Sequence, residues 1–250
     1  QDQASALVDL LHSDTFYPPG SLVLEAGCGI GAQTITLARK SPGALITSID
    51  ISASSVKEAE EKMAQEGITH VVFRQADIFN LPFEPEAFDH IFVCFVLEHL
   101  PRPAEALSVL KSRLKKEGTI TVIEGDHGSA FFHPDSEAAR RAIACQVELQ
   151  KRACGNALIG RELYPLLTRA GFKCVTVSPR MVYADAGRPD LVDGFTRKTF
   201  TAMTLGVRQK AVGAGLIDPQ AFDQGIEDLY RPAEPDGVFC YTFFKATGIK

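Results

Sequence analysis

The 250-residue sequence has no tryptophan and only three methionines, and none of its six cysteines forms a C-x-x-C pair. The cysteine spacing excludes the common zinc sites, so we expect no bound metal. Most of the cysteines lie in apolar runs, where a thiol behaves as a small hydrophobe, and this usage predicts a reducing, cytoplasmic location. Because the chain begins with Gln1 rather than Met, the sequence leaves open whether an N-terminal leader was removed.

Positive charge is also scarce, with 26 Lys and Arg residues against 31 Asp and Glu residues and a net charge of -5. Proteins that bind nucleic acid need basic side chains to neutralise phosphates, so the composition argues against a nucleic-acid partner. No stretch approaches the roughly 18 uninterrupted apolar residues of a membrane span, and we expect none. The sequence gives no indication of the oligomeric state.

Short apolar runs alternate with helical patterns through the first half of the chain, which predicts an α/β fold with a doubly wound, mostly parallel sheet. We expect one domain over residues 1–250 with a ligand-binding core at about 20–126. Its third strand should end at Asp77, and the helix before the fifth strand should end at Gly118. Two helical insertions, at about 128–158 and 186–234, interrupt the alternation and are predicted to form lids.

The stretch VLEAGCGIGAQ, residues 23–33, follows the first predicted strand and permits two interpretations. Gly27-x-Gly29-x-x-Ala32 fits the fingerprint of dinucleotide enzymes, whereas Glu25-x-Gly27-x-Gly29-x-Gly31 fits the loop of S-adenosylmethionine enzymes. Asp50, at the end of the second predicted strand, is placed to accept ribose hydroxyls under either interpretation. The loop alone therefore predicts a nucleotide without identifying it.

Further motifs follow in a fixed order: ITSIDIS, ADIFNLPFEPEAFDHI, VLEHL and LKKEGTITVIE. With the glycine loop, this ordered set resembles the class I S-adenosylmethionine-dependent methyltransferases, in particular the group of ubiquinone and menaquinone biosynthesis methyltransferases. The resemblance implies a Rossmann-like methyltransferase fold of seven strands with an antiparallel last strand. It also implies S-adenosyl-L-methionine as cofactor and S-adenosyl-L-homocysteine as product. The cofactor residues so implied are Glu25, Gly27, Cys28, Gly29, Gly31, Asp50, Ile51, Asp77, Ile78, Phe95 and Val96.

Charge favours the sulfonium cofactor over a dinucleotide. Glu25 would attract the cationic methionine end of S-adenosylmethionine, whereas beside a pyrophosphate it would repel. By family resemblance, Asp77 accepts from the adenine amino group, and Ile51 and Ile78 enclose the ring.

Polar residues crowd the end of the fifth predicted strand, where an open parallel sheet binds its ligands. We predict that His127 or Asp126 acts as a general base or orients the acceptor, although a simple turn would use the same residue types. The predicted acceptor-binding residues are His99, Glu124, Tyr17, Arg161 and Tyr183. Phe195, Phe200 and Met203 are predicted to pack the second insertion against the body.

The sequence thus favours transfer of a methyl group to an O, N or C atom of a small molecule by in-line displacement, because the insertions could enclose a compact acceptor. The alternatives are a methyltransferase acting on protein or RNA, an NAD(P)-dependent oxidoreductase, and a cofactor-binding module without turnover.

Overall fold

The structure is a computed structural model that describes residues 2–250, with side chains from Leu7 onward. Seven strands form one sheet: β1 (Leu22–Ala26), β2 (Leu45–Asp50), β3 (Val71–Gln75), β4 (Phe88–Cys94), β5 (Leu114–His133), β6 (Lys173–Ala184) and β7 (Val238–Ile249). Their order is β3-β2-β1-β4-β5-β7-β6. The first five strands are parallel to one another, and β7 is antiparallel to both β5 and β6. The predicted doubly wound, mostly parallel sheet with an antiparallel last strand is confirmed.

Helices connect the strands and cover both faces of the sheet. They are α1 (Asp2–His12), α2 (Ala32–Lys40), α3 (Ala53–Gln65), α4 (Pro103–Arg113), α5 (Glu137–Arg152), α6 (Leu163–Arg169), α7 (Pro189–Leu191), α8 (Ala202–Gly206), α9 (Arg208–Gly213) and α10 (Pro219–Tyr230). Short 3₁₀ turns lie at Leu97–His99, Ile159–Glu162 and Arg231–Ala233, and a π-helical segment spans Val192–Thr201. Among the helices of the described residues, none combines the length and apolarity that crossing a membrane requires.

Local sequence signals explain where several helices begin and end. The Ser52 hydroxyl accepts a hydrogen bond from the Ser55 N–H at 3.2 Å and caps α3, which stops before Gly67 in the left-handed region at φ 68°. Asp218 accepts from the Ala221 N–H at 2.9 Å and caps α10. These caps satisfy N–H groups that a helix start leaves without partners.

Two predicted boundaries were misplaced. Helix α4 ends at Arg113 rather than Gly118, because Leu114 is already extended and pairs with Phe88 of β4. The next residues bulge out of the ladder, with Glu117 at φ 62°. Strand β3 ends at Gln75, two residues before the predicted Asp77.

Strand β5 is much longer than predicted and includes residues 128–133, which the sequence assigned to the first insertion. A register shift between Asp126 and Phe131 interrupts its pairing with β7, which then resumes through His133. After the shift the strand still alternates, with Phe132 buried and Phe131 exposed. The helical part of the insertion therefore begins only at α5.

The fold places a crevice at the carboxyl ends of β1 and β4. These strands are adjacent, but β1 is followed along the chain by β2 on one side, and β4 by β5 on the other. In open α/β sheets, ligands bind where the strand order reverses in this way. The candidate site therefore lies beyond Ala26 and Cys94, the last residues of the two strands.

Candidate active site

The glycines of the loop after β1 allow its backbone to lie close to the loop after β4, without side chains that would fill the space for a ligand. Gly27 and Gly31 have φ values of 89° and 78°, in the region that disfavours side chains. A Cβ on Gly27 would collide with the Val96 side chain. The Gly29 N–H donates to Asp50 Oδ2 at 2.9 Å, which ties the loop to the end of β2.

A cavity of about 560 Å³ opens at this loop and runs across the ends of β1, β2 and β4. Most of the predicted cofactor residues line it: Gly27, Gly29, Asp50, Ile51, Asp77, Ile78, Phe95 and Val96. The lining also includes Ile49, Ala76, Phe79, His99, Leu100 and Pro101. We call this space the cofactor cavity.

Two carboxylates are fixed at the polar end of the cofactor cavity. Asp50 Oδ1 accepts from the Ser52 N–H at 2.9 Å, while Oδ2 holds Gly29. Asp77 Oδ1 accepts from the Phe79 N–H at 2.9 Å. Backbone donors thus orient both side chains before any ligand arrives, and both can accept further hydrogen bonds.

Glu25 lies beneath the cavity rather than in its wall and is 2% exposed. Its Oε2 accepts from Thr34 Oγ1 at 2.8 Å and from Ser48 Oγ at 2.6 Å. Within the described part of the chain, no donor contacts Oε1. Burial raises the pKa of this carboxyl to about 7, against the lowering effect of the two hydroxyls. A cation bound above Glu25 would favour the ionised form.

Cys28 and Gly31 also lie outside the cavity wall. Burial raises the pKa of the Cys28 thiol, so the side chain stays protonated and packs as an apolar group. A Cβ on Gly31 would lie 3.1 Å from Ala59 Cβ, so this glycine serves the packing of the loop on α3.

A second, smaller cavity of about 240 Å³ shares Phe95 and His99 with the cofactor cavity. We call it the aromatic chamber. Its lining is Phe95, Glu98, His99, Gly125, His127, Phe195, Thr199, Phe200, Met203, Tyr241 and Phe243. Strands β5 and β7 form one side, and the π-helical segment of the second insertion forms another.

His127 contributes a buried imidazole to the aromatic chamber. Its Nδ1 lies 2.7 Å from Tyr241 Oη. Nε2 forms no hydrogen bond with a side chain of the described residues. Burial lowers the pKa of the imidazole, although Glu98 and Asp126 oppose the shift. The ring is therefore neutral at pH 7, which is the form that can accept a proton.

Asp126 does not face the chamber. Its two oxygens accept from Arg161 Nε at 2.6 Å and Arg161 Nη2 at 2.7 Å, and its side chain is 3% exposed. A carboxylate paired with a guanidinium in this bidentate way is a weak proton acceptor. Of the two predicted bases, the geometry favours His127, while Asp126 and Arg161 join the end of β5 to the turn at Ile159–Glu162.

Glu124 positions the VLEHL segment. Its Oε1 accepts from the backbone N–H groups of Val96 at 2.9 Å and Leu97 at 2.7 Å. Burial and the nearby Glu98 raise the pKa of this carboxyl to about 8. Glu124 is fully buried and lies behind the chamber wall rather than in it. Any effect of Glu124 on an acceptor would therefore be indirect, through the position of the VLEHL segment.

The two predicted tyrosines lie away from both cavities. Tyr17 is 5% exposed, and its ring stacks on His90 with 4.8 Å between the centroids, because the segment after α1 packs into the core. Tyr183 is near the end of β6 and lines a separate cavity of about 760 Å³ with Arg188 and Asp190. β6 is the edge strand of the sheet, and β5 and β7 lie between it and β4, so its end is far from the crevice.

Sequence reasoning missed Glu98 and Tyr241, and it assigned only packing to Phe195, Phe200 and Met203, which also line the chamber. Glu98 lies inside the VLEHL motif, which offered a usable signal. The aromatic residues carried none, because they meet only when β7 and the π-helical segment pack together. No cluster of three or more metal-ligating side chains occurs in the described residues.

Comparisons with known proteins agree with this geometry. Residues 19–171 match the family model described as a methyltransferase domain. An uncharacterized 37.1 kDa protein in transposon Tn4556 of Streptomyces fradiae is 34% identical over 84% of this chain and 58% of its own length. Demethylmenaquinone methyltransferase of Lactiplantibacillus plantarum is 34% identical over 41% of this chain and 44% of its own length. The chain thus spans about half the length of these curated relatives.

Among solved structures, phosphoethanolamine N-methyltransferase 2 of Haemonchus contortus, in complex with S-adenosyl-L-methionine, has a TM-score of 0.59 and 16% identity. The match covers 100% of this chain and 52% of that one, and at this identity it shows a common fold. The chain belongs to the methyltransferase domain family, among the class I methyltransferases that use S-adenosylmethionine.

Proposed function

We propose that this chain binds S-adenosylmethionine in the cofactor cavity and directs its methyl group to a small-molecule acceptor in the aromatic chamber. The observation that carries the proposal is the continuity of the two spaces: Phe95 and His99 line both. In-line displacement requires the acceptor atom and the methyl group to meet within about 3 Å, which two adjoining cavities permit.

The residues of the cofactor cavity fit this ligand. Asp50 is placed for the ribose hydroxyls, Asp77 for the adenine amino group, and Ile51 and Ile78 for the faces of the ring. Glu25 Oε1, which accepts no hydrogen bond from the described residues, is available to a cationic group of the ligand. When bound, S-adenosylmethionine supplies an electrophilic methyl group on a positively charged sulfur.

The chain's own residues position the acceptor, exclude water and accept a proton. Phe95 and His99 lie where the two cavities adjoin, and the aromatic walls keep the acceptor dry. Neutral His127, held through Nδ1 by Tyr241, presents Nε2 to a proton leaving the acceptor. General bases of this kind contribute roughly 10²–10⁴-fold.

A small acceptor is favoured over a protein or RNA because the chamber holds only about 240 Å³ and the insertion closes one side. The absence of disulfides among the six cysteines, all of which are described, supports a reducing compartment as the place of action.

Calorimetry with S-adenosylmethionine, S-adenosylhomocysteine and NAD tests the proposal. We expect binding of the first two and none of NAD. Binding of NAD alone would overturn the proposal in favour of an oxidoreductase. Binding of S-adenosylmethionine without release of S-adenosylhomocysteine, across a panel of amines, phenols and carboxylates followed by mass spectrometry, would instead indicate a cofactor-binding module.

A further inference from the structure

The walls of the aromatic chamber are unusually rich in π-systems for so small a space. Tyr241 lies 4.8 Å from Phe243 and 5.4 Å from both Phe195 and Phe200, measured between ring centroids. The planes of these pairs are inclined by 56° to 63°. An aromatic ring attracts a cation to its face, so a chamber lined by these rings suits a cationic group.

One carboxylate stands in this lining. The Glu98 side chain is 12% exposed, its Oε2 accepts from Gln150 Nε2 at 3.2 Å, and its Oε1 lies 3.6 Å from His99 Nε2. Gln150 belongs to α5 of the first insertion, so the carboxylate is held in place from outside the chamber.

No lysine or arginine lies among the described residues that line the chamber, and the basic side chain beside Glu98 there is the His99 imidazole, 3.6 Å away. Arg161, the basic residue near the end of β5, is engaged by Asp126. An acceptor bearing a carboxylate or phosphate in the chamber would meet Glu98 without a counter-charge, which is unfavourable in a partly dry space.

We propose that the acceptor is a primary or secondary amine on a small apolar body, which enters as an ammonium ion paired with Glu98 and lies against the aromatic rings. This assignment rests on the proposed methyl transfer and names its substrate class. A phenol or alcohol can donate one hydrogen bond to the carboxylate but has no positive charge to pair with it, and the cluster of rings would serve it only as apolar surface.

The reaction balances with the groups already named. The ammonium ion gives one proton to His127 Nε2, which leaves a lone pair on nitrogen. That pair forms the new N–C bond as the S–C bond breaks, and the electrons of the S–C bond remain on sulfur. The products are the methylated ammonium ion, S-adenosylhomocysteine and a protonated His127 that returns its proton to water. No oxidant or reductant is required.

Three probes of matched shape test the acceptor class: benzylamine, benzyl alcohol and benzoate. Each is titrated into the protein saturated with S-adenosylhomocysteine, for the wild type, Glu98→Gln and the control Glu105→Gln. Glu105 lies on α4, pairs with Arg102 and is outside both cavities. Melting temperature and S-adenosylhomocysteine affinity establish that each variant is folded.

We expect wild type and Glu105→Gln to bind benzylamine at least about tenfold more tightly than benzyl alcohol, with benzoate weakest. In Glu98→Gln the preference should fall below about threefold, and wild type with S-adenosylmethionine should release N-methylbenzylamine. Equal or tighter binding of benzyl alcohol or benzoate, a preference that survives in Glu98→Gln, or no benzylamine binding at about 10 mM would overturn the amine assignment. Failure of S-adenosylhomocysteine to bind would instead overturn the proposed function, so the two failures are distinguishable.

Discussion

At the scale of single residues, the least expected arrangement is a carboxylate buried under the glycine loop with one oxygen unpaired. Glu25 is raised to a pKa of about 7 because burial penalises its charge more than Thr34 and Ser48 stabilise it. A charged ligand group above the loop would relieve this penalty. Without a ligand, Glu25 is therefore partly protonated near pH 7, and we expect binding to favour its ionised form.

Replacing Glu25 with Gln should weaken S-adenosylmethionine binding and flatten its pH dependence. With a pKa of about 7, the ionised fraction of Glu25 rises from about a tenth at pH 6 to about nine tenths at pH 8. Wild-type affinity should therefore rise about tenfold over this range, relative to Glu25→Gln measured in parallel by calorimetry. The exposed Glu58→Gln variant is the control. Equal pH profiles for wild type and Glu25→Gln would contradict the role of Glu25.

The same substitution should stabilise the empty protein at high pH. The folded pKa of Glu25, about 7, lies above the ordinary value of 4.5 for a glutamate, so the folded state binds more protons between these values. Its contribution to stability is therefore greatest below pH 4.5 and is lost as the pH rises through 7. We expect Glu25→Gln to raise the free energy of unfolding at pH 8 by about 3 kcal/mol, with no gain at pH 4.5. Urea titrations at both pH values measure the difference, and a loss of stability at pH 8 would count against it.

The pKa of His127 leads to a prediction for the pH dependence of kcat. Burial lowers this pKa most and the nearby His99 lowers it further, while the charges of Glu98 and Asp126 raise it. Its pKa therefore lies below 6.5, and kcat should rise with pH on the acidic side and level off by pH 7.

His127→Asn should lower kcat by roughly 10²–10⁴-fold and remove this acidic limb. The affinity for S-adenosylmethionine should stay within about twofold, because His127 does not line the cofactor cavity. His133→Asn, an exposed change further along β5, is the matched control. A reduction in cofactor affinity that accounts for the whole loss of activity would indicate a structural role instead.

At the scale of elements, the close approach of two loops defines the cofactor cavity. Gly27→Ala places a methyl group against Val96, at a φ of 89°, whereas Gly20→Ala meets nothing within 4 Å at a φ of 82°. Both variants should lose about 1–2 kcal/mol of stability from backbone strain. Only Gly27→Ala should weaken S-adenosylmethionine binding by more than about tenfold, measured by calorimetry. Similar losses of affinity in both would show that strain, not the contact with Val96, controls the cavity.

The elements that the sequence predicts well are those whose signals are local. The glycine loop, Asp50 and Asp77 lie at or just after the ends of three different strands, and parallel strands bring their carboxyl ends to one edge. The pattern therefore predicts a ligand crevice there, whereas the cofactor and the roles of Asp77, Ile51 and Ile78 came from the family resemblance. Asp126 and Arg161 are 35 residues apart, and nothing near either in the sequence announces their pairing. The length of β5 was missed for a related reason: a register shift, which pattern does not reveal, lets the strand continue after Asp126.

At the scale of the whole molecule, the two insertions pack on each other as well as on the sheet. Helix α5 of the first insertion lies against α10 of the second, and a Cβ on Gly225 would lie 2.5 Å from the Ala138 carbonyl oxygen. The Gln150 side chain on α5 holds Glu98, and the π-helical segment supplies Phe195 and Phe200 to the chamber. The insertions therefore shape the acceptor side of the site, while strands β1, β2 and β4 and the segments that follow β3 and β4 shape the cofactor side.

This division predicts that damage to the packing of the insertions separates the two binding functions. Gly225→Ala forces α10 away from α5 and should lower the free energy of unfolding by about 1–3 kcal/mol. It should also raise the KM of the acceptor, while the S-adenosylmethionine affinity stays within about twofold. Gly213→Ala, in a helix with open space around the new methyl group, should be neutral or stabilising by up to about 1 kcal/mol. If calorimetry shows that Gly225→Ala loses cofactor affinity as strongly as acceptor affinity, the insertions and the cofactor-binding core unfold and bind as one cooperative unit. The two binding functions would then not be separable.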